Sequence, residues 1–408
     1  MGPYQDQVTN TKKFTQEVRL ASPSSDTFEW MVGAYYTKEK GLIGQFIGSI
    51  DLVTGNPFGV PLLDDLATLD LSSKYKEIAG FSNVTWHATD RFDITLGGRI
   101  AKNKQSARQV SESGVGLADN ADFTIKSDES VFTYALSPRY EIDDDTAVYA
   151  RIAKGYRPGG PNVIPPSTDD VPFTYDSDTI TSYEIGLKKE LGRGASFDLA
   201  AYHLNWKDIQ LYSFVNGFGV NVNGGTAVSN GIEGQLTLRP LQGLMLNVNG
   251  AWIDAHLTED TPPLAGGFDG DRLPWIPKVT FSLNADYEWK LSGTTTAFVG
   301  GTLAYKGSQR DNFNIADIVG VNPDGSVEYA FTPQRRVDDY ATIDLRGGVE
   351  FDRFTVEAYV KNLTDVEGVN SFNVLTDAIL GNNILPDNAV RAALTRPRTI
   401  GLQISAGF

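Results

Sequence analysis

The sequence predicts an all-β fold, a transmembrane antiparallel β-barrel, and three observations predict it. Apolar and polar residues alternate with a period of two along most of the chain. Short and long connections alternate between these runs, and aromatic residues collect at the short-turn ends. The alternation is plainest near the C-terminus. Val279, Phe281, Leu283, Ala285, Tyr287 and Trp289 interleave with Thr280, Ser282, Asn284, Asp286, Glu288 and Lys290. Ala341, Ile343, Leu345, Val349 and Phe351 interleave with Thr342, Asp344, Arg346 and Glu350, and Ile400, Leu402, Ile404, Ala406 and Phe408 end the chain against Gly401, Gln403 and Ser405. A period of two sends alternate side chains to opposite sheet faces, so one face is apolar and the other polar, carrying full charges. A soluble sandwich would bury the apolar face against a second sheet. A membrane barrel would turn it to lipid and keep the polar face in a wet lumen.

The connections favour the barrel. Strands are predicted at 11–22, 27–40, 73–88, 91–107, 129–142, 145–156, 178–191, 194–213, 220–240, 243–258, 277–291, 293–309, 336–351, 353–365 and 396–408. Short turns at Pro23-Ser24-Ser25-Asp26, Asp90, Asp143-Asp144-Asp145, Gly192-Arg193, Leu241-Gln242, Ser292 and Asp352 alternate with long segments at 41–72, 108–128, 157–177, 214–219, 259–276, 310–335 and 366–395. Short periplasmic turns and long extracellular loops are the outer-membrane pattern. Trp30, Trp86, Phe92, Tyr140, Tyr287, Trp289, Phe351, Phe354 and Phe408 sit near the short-turn ends, where an aromatic girdle would lie at the membrane–water interface.

Composition narrows the chemistry. The 408 residues carry a net charge of −16 and no basic run, which argues against a nucleic-acid partner. With no cysteine there is no disulfide framework, thiolate metal site or cysteine nucleophile. His87, His203 and His256 are scattered and without motif context, so no metal, cofactor or catalytic residue is expected. No run of apolar residues is long enough for a transmembrane helix, a test that barrel strands pass unseen.

Several segments resemble TonB-dependent receptors. They are Thr15-Gln16-Glu17-Val18-Arg19-Leu20; Tyr149 through Tyr156-Arg157-Pro158-Gly159-Gly160; Ser182-Tyr183-Glu184-Ile185-Gly186-Leu187-Lys188; Asn230-Gly231-Ile232-Glu233-Gly234; Val360-Lys361-Asn362-Leu363-Thr364-Asp365; and Arg396-Pro397-Arg398-Thr399-Ile400-Gly401 through Phe408. Their order and spacing are more specific than any one of them. The resemblance implies a barrel of about 22 strands with a plugged lumen. Residues 1–408 would then be part of the barrel domain. The plug, about seven strands and a leader peptide are expected outside this sequence, because Met1-Gly2-Pro3-Tyr4-Gln5 does not open like a leader. With an odd strand count, the expected form is an open curved sheet or a strained parallel closure.

The function implied is active import of a scarce, bulky ligand, most often a ferric siderophore, with cobalamin, haem and plant- or glycan-derived compounds as other possibilities. The implied partners are the TonB energy-coupling complex, the barrel-assembly machinery and outer-membrane lipid with lipopolysaccharide. A passive porin and a soluble carbohydrate-binding sandwich are the competing readings. Tyr156, Arg157, Tyr175, Arg310, Arg335 and Arg336 are the candidate ligand residues, since an anionic aromatic ligand suits Arg and Tyr. Arg99, Arg151, Glu184 and Glu233 have the phase of the lumen and would face a plug. Phe408 resembles the terminal aromatic read during assembly.

Overall fold

The computed structural model describes residues 2–60, 64–113, 120–162, 171–215, 218–313, 315–321, 327–374 and 390–407. Fifteen strands form one antiparallel sheet in chain order. They are β1 (Gly2–Ala21), β2 (Phe28–Ile50), β3 (Asp65–Thr89), β4 (Phe92–Ser113), β5 (Ala121–Asp143), β6 (Thr146–Arg157), β7 (Asp178–Glu190) and β8 (Ala195–Lys207), followed by β9 (Thr226–Leu241), β10 (Leu244–Leu257), β11 (Val279–Ser292), β12 (Thr295–Lys306), β13 (Tyr340–Phe351), β14 (Phe354–Lys361) and β15 (Thr399–Ala406). Each predicted strand has its counterpart. The sheet takes the open form: β1 and β15 are its edges, and they run in the same direction because the count is odd.

Several boundaries differ from expectation, and β1, expected to begin at 11, begins at Gly2. β2 to β5 run up to ten residues further on the long-connection side, where Gly41–Ile50 and Asp65–Ser72 contain no proline to interrupt the pairing. The strand expected at 194–213 stops at Lys207, where Asp208 turns the backbone to φ 55°. Gln210–Val215 then pairs with Phe218–Asn223 as a separate hairpin, so the connection expected at 214–219 spans 208–225. Asn362 lies just past β14 at φ 49° rather than inside a strand.

The two faces separate cleanly. On β1 to β5 the exposed large apolar side chains fall at even-numbered positions, among them Val18, Leu20, Val32, Val84, Leu96, Ile100 and Phe132. The odd-numbered Glu77, Ala79, Ala101, Asn103 and Gln109 are buried. Further on, Phe281, Leu345, Leu402 and Ile404 lie on the exposed apolar face. Asp286, Arg346 and Glu357 meet on the other face, where Arg346 reaches Asp286 at 2.6 Å and Glu357 at 3.3 Å. Aromatics pair along the short-turn rim: Phe28 with Trp86 at 6.3 Å, Phe92 with Tyr140 at 6.5 Å, Tyr287 with Trp289 at 5.4 Å and Phe351 with Phe354 at 5.9 Å. Phe408 lies outside the described residues.

The resembling segments gain a physical reason here. Gly186, Gly231 and Gly401 each lie under a tyrosine ring from the neighbouring strand, and a Cβ there would come within 2.3, 2.3 and 2.4 Å of Tyr149, Tyr202 and Tyr359. Each glycine lets a ring lie flat across the polar face.

Candidate functional site

At the long-connection end the polar face changes character. Residues in phase with Glu233 along β9 and β10 are polar up to Asn249, then become Ile253, Ala255 and Leu257. These pack with Ile209, Ala227 and Leu273 into a small core, with Trp206, Leu211, Ile276 and Phe313 against it. Leu257 is 0% and Ile209 1% exposed. Fully burying such a side chain is worth roughly 1.5–3 kcal/mol. The core therefore draws segments 208–225 and 258–278 over the polar face instead of leaving them in solvent. Backbone bonds from Leu257 N to Asp271 O (2.8 Å) and Leu273 N to Ala255 O (3.0 Å) fix the second segment along β10.

Two groups of polar residues flank this core. The first surrounds the elbow at Pro158-Gly159-Gly160. Asp178, 2% exposed, opens β7 and accepts from Arg157 Nε (2.9 Å), Trp206 Nε1 (3.0 Å) and the Gln210 backbone N–H (3.3 Å). The Arg157 guanidinium also lies over the Trp206 ring at 5.2 Å. Glu129 accepts from Asn103 Nδ2 (3.0 Å) and Gly159 N (2.9 Å). Tyr175 is half-buried opposite Gly160, and burial raises its phenol, Arg157 opposing and Glu129 adding. Tyr156, the penultimate residue of β6, is half-buried beside Asn103 and Glu77.

The second group lines a cavity of about 540 Å³ between Phe268, Gly270, Asp271, Arg272, Arg310, Phe331, Pro333 and Gln334. Phe268 and Phe331 meet edge to face at 5.0 Å. Arg272 is held by one bond, Nη2 to Ile276 O at 3.1 Å, while its buried Nε has no partner among the described residues. Burial pulls the guanidinium below its ordinary value; Asp254 opposes this and Arg310 adds to it. Arg310 donates weakly to Gln334 O at 3.5 Å. Asp311, buried, accepts from the Arg335 backbone N–H at 2.6 Å. Arg336 is exposed and lies 3.3 Å from Asp338.

The six expected ligand residues thus divide into two groups of three. Tyr156, Arg157 and Tyr175 belong to the elbow; Arg310 lines the cavity, while Arg335 and Arg336 follow its lining residue Gln334, Arg335 bonded to Asp311 and Arg336 opposite Arg310. Sequence reasoning missed Arg272, Phe268 and Phe331. Arg272 follows Gly270-Asp271 and precedes Leu273-Pro274-Trp275 in a long connection, a cue no more specific than any loop arginine. Lower on the polar face, Arg99 pairs with Glu77 and lies 5.2 Å over the Tyr35 ring. Arg151 stands opposite Glu184 in register, and Glu233 opposite Ala200. Among the described residues no group of His, Cys, Asp or Glu is placed to hold a metal ion.

This architecture has known counterparts. The family model for the TonB dependent receptor-like β-barrel matches residues 2–363. The chain belongs to the TonB-dependent receptor family. Its place is the bacterial outer membrane, so the apolar face meets lipid and the polar face the lumen. It is 33% identical to the pesticin receptor of Yersinia enterocolitica over 291 residues, which are 71% of this chain and 39% of that receptor. The ferric yersiniabactin uptake receptor from Yersinia pestis superposes with a TM-score of 0.77 at 22% identity, over 98% of this chain and 55% of that one. A siderophore receptor from Acinetobacter baumannii gives 0.68 at 16% identity, over 98% and 56%. The chain therefore spans about two-fifths of the curated relative it matches.

Proposed function

We propose that this chain is wall and extracellular mouth of a ligand-gated, TonB-energised receptor that imports a bulky anionic chelate, a ferric siderophore being the first choice. A plug and further strands beyond this sequence would complete the barrel, with Arg99, Arg151, Glu184 and Glu233 facing the plug. The observation that carries the reading is the cavity with Arg272 and Arg310 beside Phe268 and Phe331. Two guanidiniums supply charge and planar donors for carboxylates or phenolates, and aromatic walls stack against conjugated rings. Arg335, Arg336 and Tyr175 would extend this surface. Arg157, engaged by Asp178 and Trp206, shapes the elbow that frames it. The names of the relatives point the same way, since receptors for yersiniabactin and other siderophores share the fold.

Iron-starved cells carrying the receptor test this with radiolabelled ferric siderophore. Uptake should stop when the proton-motive force is collapsed, and Arg272→Ala with Arg310→Ala should weaken binding about tenfold or more at unchanged surface abundance. Uptake that persists without energy would favour a passive channel, which has no need of a cavity of this kind. Unchanged affinity in the double variant would remove the cavity from the site.

A further inference from the structure

One tight turn beside the arginine cavity is made with an unfavourable residue. Among the described residues, five non-glycine positions have a left-handed backbone: Asp208, Trp275, Asp352, Asn362 and Asp365. Four are Asp or Asn, whose short polar side chains tolerate that region; a bulky ring does not. Trp275 nevertheless sits there at φ 62°. It follows Pro274, whose ring fixes φ at about −65°. Leu273-Pro274-Trp275-Ile276 therefore has the outline of a type II turn, in which glycine is the ordinary third residue. Glycine would build the turn without strain. Strain of this kind persists only where the surroundings over-determine it, so the indole is held by more than its own turn.

Those surroundings hold the two cavity arginines as well. The Trp275 backbone N–H donates to Arg310 O at 2.8 Å. At the next residue, Ile276 O accepts from Arg272 Nη2 at 3.1 Å. One turn thus bonds the main chain of one arginine and the guanidinium of the other. Gln334 also bridges the pair: its Nε2 donates to Arg272 O at 2.8 Å, and its backbone O accepts from Arg310 Nη1 at 3.5 Å. The indole reaches away from the turn. Its Nε1 donates to Asn312 Oδ1 at 3.0 Å, and its ring meets Phe372 edge to face at 5.5 Å. Phe372 belongs to a hairpin that pairs Val369–Val374 with Val390–Leu394. That hairpin is itself anchored. The Asn370 backbone O accepts from Gln309 Nε2 at 3.1 Å, and Asn370 Oδ1 accepts from the Tyr340 hydroxyl at 2.6 Å. The described residues of the hairpin lie outside the cavity lining.

We propose that Trp275 is the positioning residue of the cavity, and that the hairpin sets the spacing of Arg272 and Arg310 through it. The consequence rests on the anion reading of the preceding subsection. The gap between two guanidiniums decides which pair of carboxylates or phenolates fits, so specificity is tuned from a hairpin outside the cavity. Glycine at position 275 would give the turn without the link to Phe372, and the strained tryptophan supplies both.

The test labels arginines with phenylglyoxal in the full-length receptor, purified in detergent without ligand, and reads each site by mass spectrometry. Trp275→Gly relaxes the backbone and removes the ring; it should speed labelling of Arg272 and Arg310 about fivefold, in line with the loss of an edge-to-face aromatic pair. Phe372→Ala, a change outside the turn, should do the same. Trp275→Phe keeps a ring against Phe372 and should label as wild type does. Arg157, held by Asp178 at the elbow, is the internal control and should not change in any variant. A wild-type rate at either cavity arginine in Trp275→Gly or Phe372→Ala would overturn the proposal. So would Trp275→Phe labelling at the Trp275→Gly rate, or an equal rise at Arg157, which would mean that the whole mouth has loosened. With no ligand present, these outcomes stand apart from the import reading, which fails on uptake instead.

Discussion

Asp178 ties three donors to one carboxylate. It receives the Arg157 guanidinium, the Trp206 indole and the Gln210 backbone, so it joins the elbow after β6 to the hairpin after β8. Charge-assisted bonds to a buried group are about twice as strong as neutral ones. Asp178→Asn should therefore loosen residues 208–225 by roughly 1–3 kcal/mol, read as faster protease nicking there with the barrel strands intact; an unchanged nicking rate would contradict this. Asp311 behaves oppositely. Burial raises its carboxyl, against the pull of Arg335 and Arg310. A folded pKa above the unfolded one means that this group's contribution is fullest below the unfolded pKa and is lost as pH rises through the folded value. Asp311→Asn keeps an acceptor for the Arg335 N–H without a buried charge. The variant should hold its loop at least as well as wild type at pH 7 and should lose the parent's gain on acidification, both measurable by the same proteolysis. At this scale the sequence is least legible. The sequence makes Arg157 a candidate ligand cation, and only the fold brings Asp178 and Trp206 to it. Arg272 looked like nothing in particular until Phe268 and Arg310 stood beside it.

Individual strands were far more legible, because a half-buried sheet imposes its period on every residue. The alternation of Val279–Lys290 and Tyr340–Phe351 gave both phase and strand limits within a few residues. It misled where the physical signal was conformational rather than apolar. Asp208 occupies the left-handed region inside an uninterrupted alternating run, and nothing in the pattern marks it. The upper ends of β2 to β5 were missed for a related reason: adjacent apolar residues such as Leu42-Ile43, Phe46-Ile47 and Leu66-Ala67, and the polar run 111–113, blur the period of two. Phase itself carries a prediction. Leu345 points to lipid in the row of Val360, and its neighbour Arg346 to the lumen pair Asp286 and Glu357. Leu345→Arg should cost roughly 2–4 kcal/mol near the midplane, measured as the unfolding midpoint in lipid vesicles. A wild-type midpoint would place Leu345 off the lipid face.

The whole molecule is a sheet with two solvents. Its outer face passes from an aromatic rim through an apolar band to exposed lysines such as Lys38, Lys76 and Lys104, which stand opposite one another on neighbouring strands. Its inner face passes from ion-paired lumen residues to an apolar core that folds the long connections over the mouth. The alternation and the connection lengths declared the first gradient in the sequence; the second emerged from contacts between segments more than fifty residues apart, such as Ser213 with Leu264. These 408 residues contain no cysteine, so a cysteine placed among them labels against no background from this chain. A cysteine series through β9, β11 and β13 in outer membranes, probed with a charged maleimide and a lipid-borne nitroxide quencher, measures both faces at once. Positions 233, 286 and 346 should react with the maleimide, and positions 232, 281 and 345 should stay unreactive and report quenching by the nitroxide. Equal labelling of the two sets, or the reverse pattern, would contradict a wall with lipid on one side and a wet transport lumen on the other.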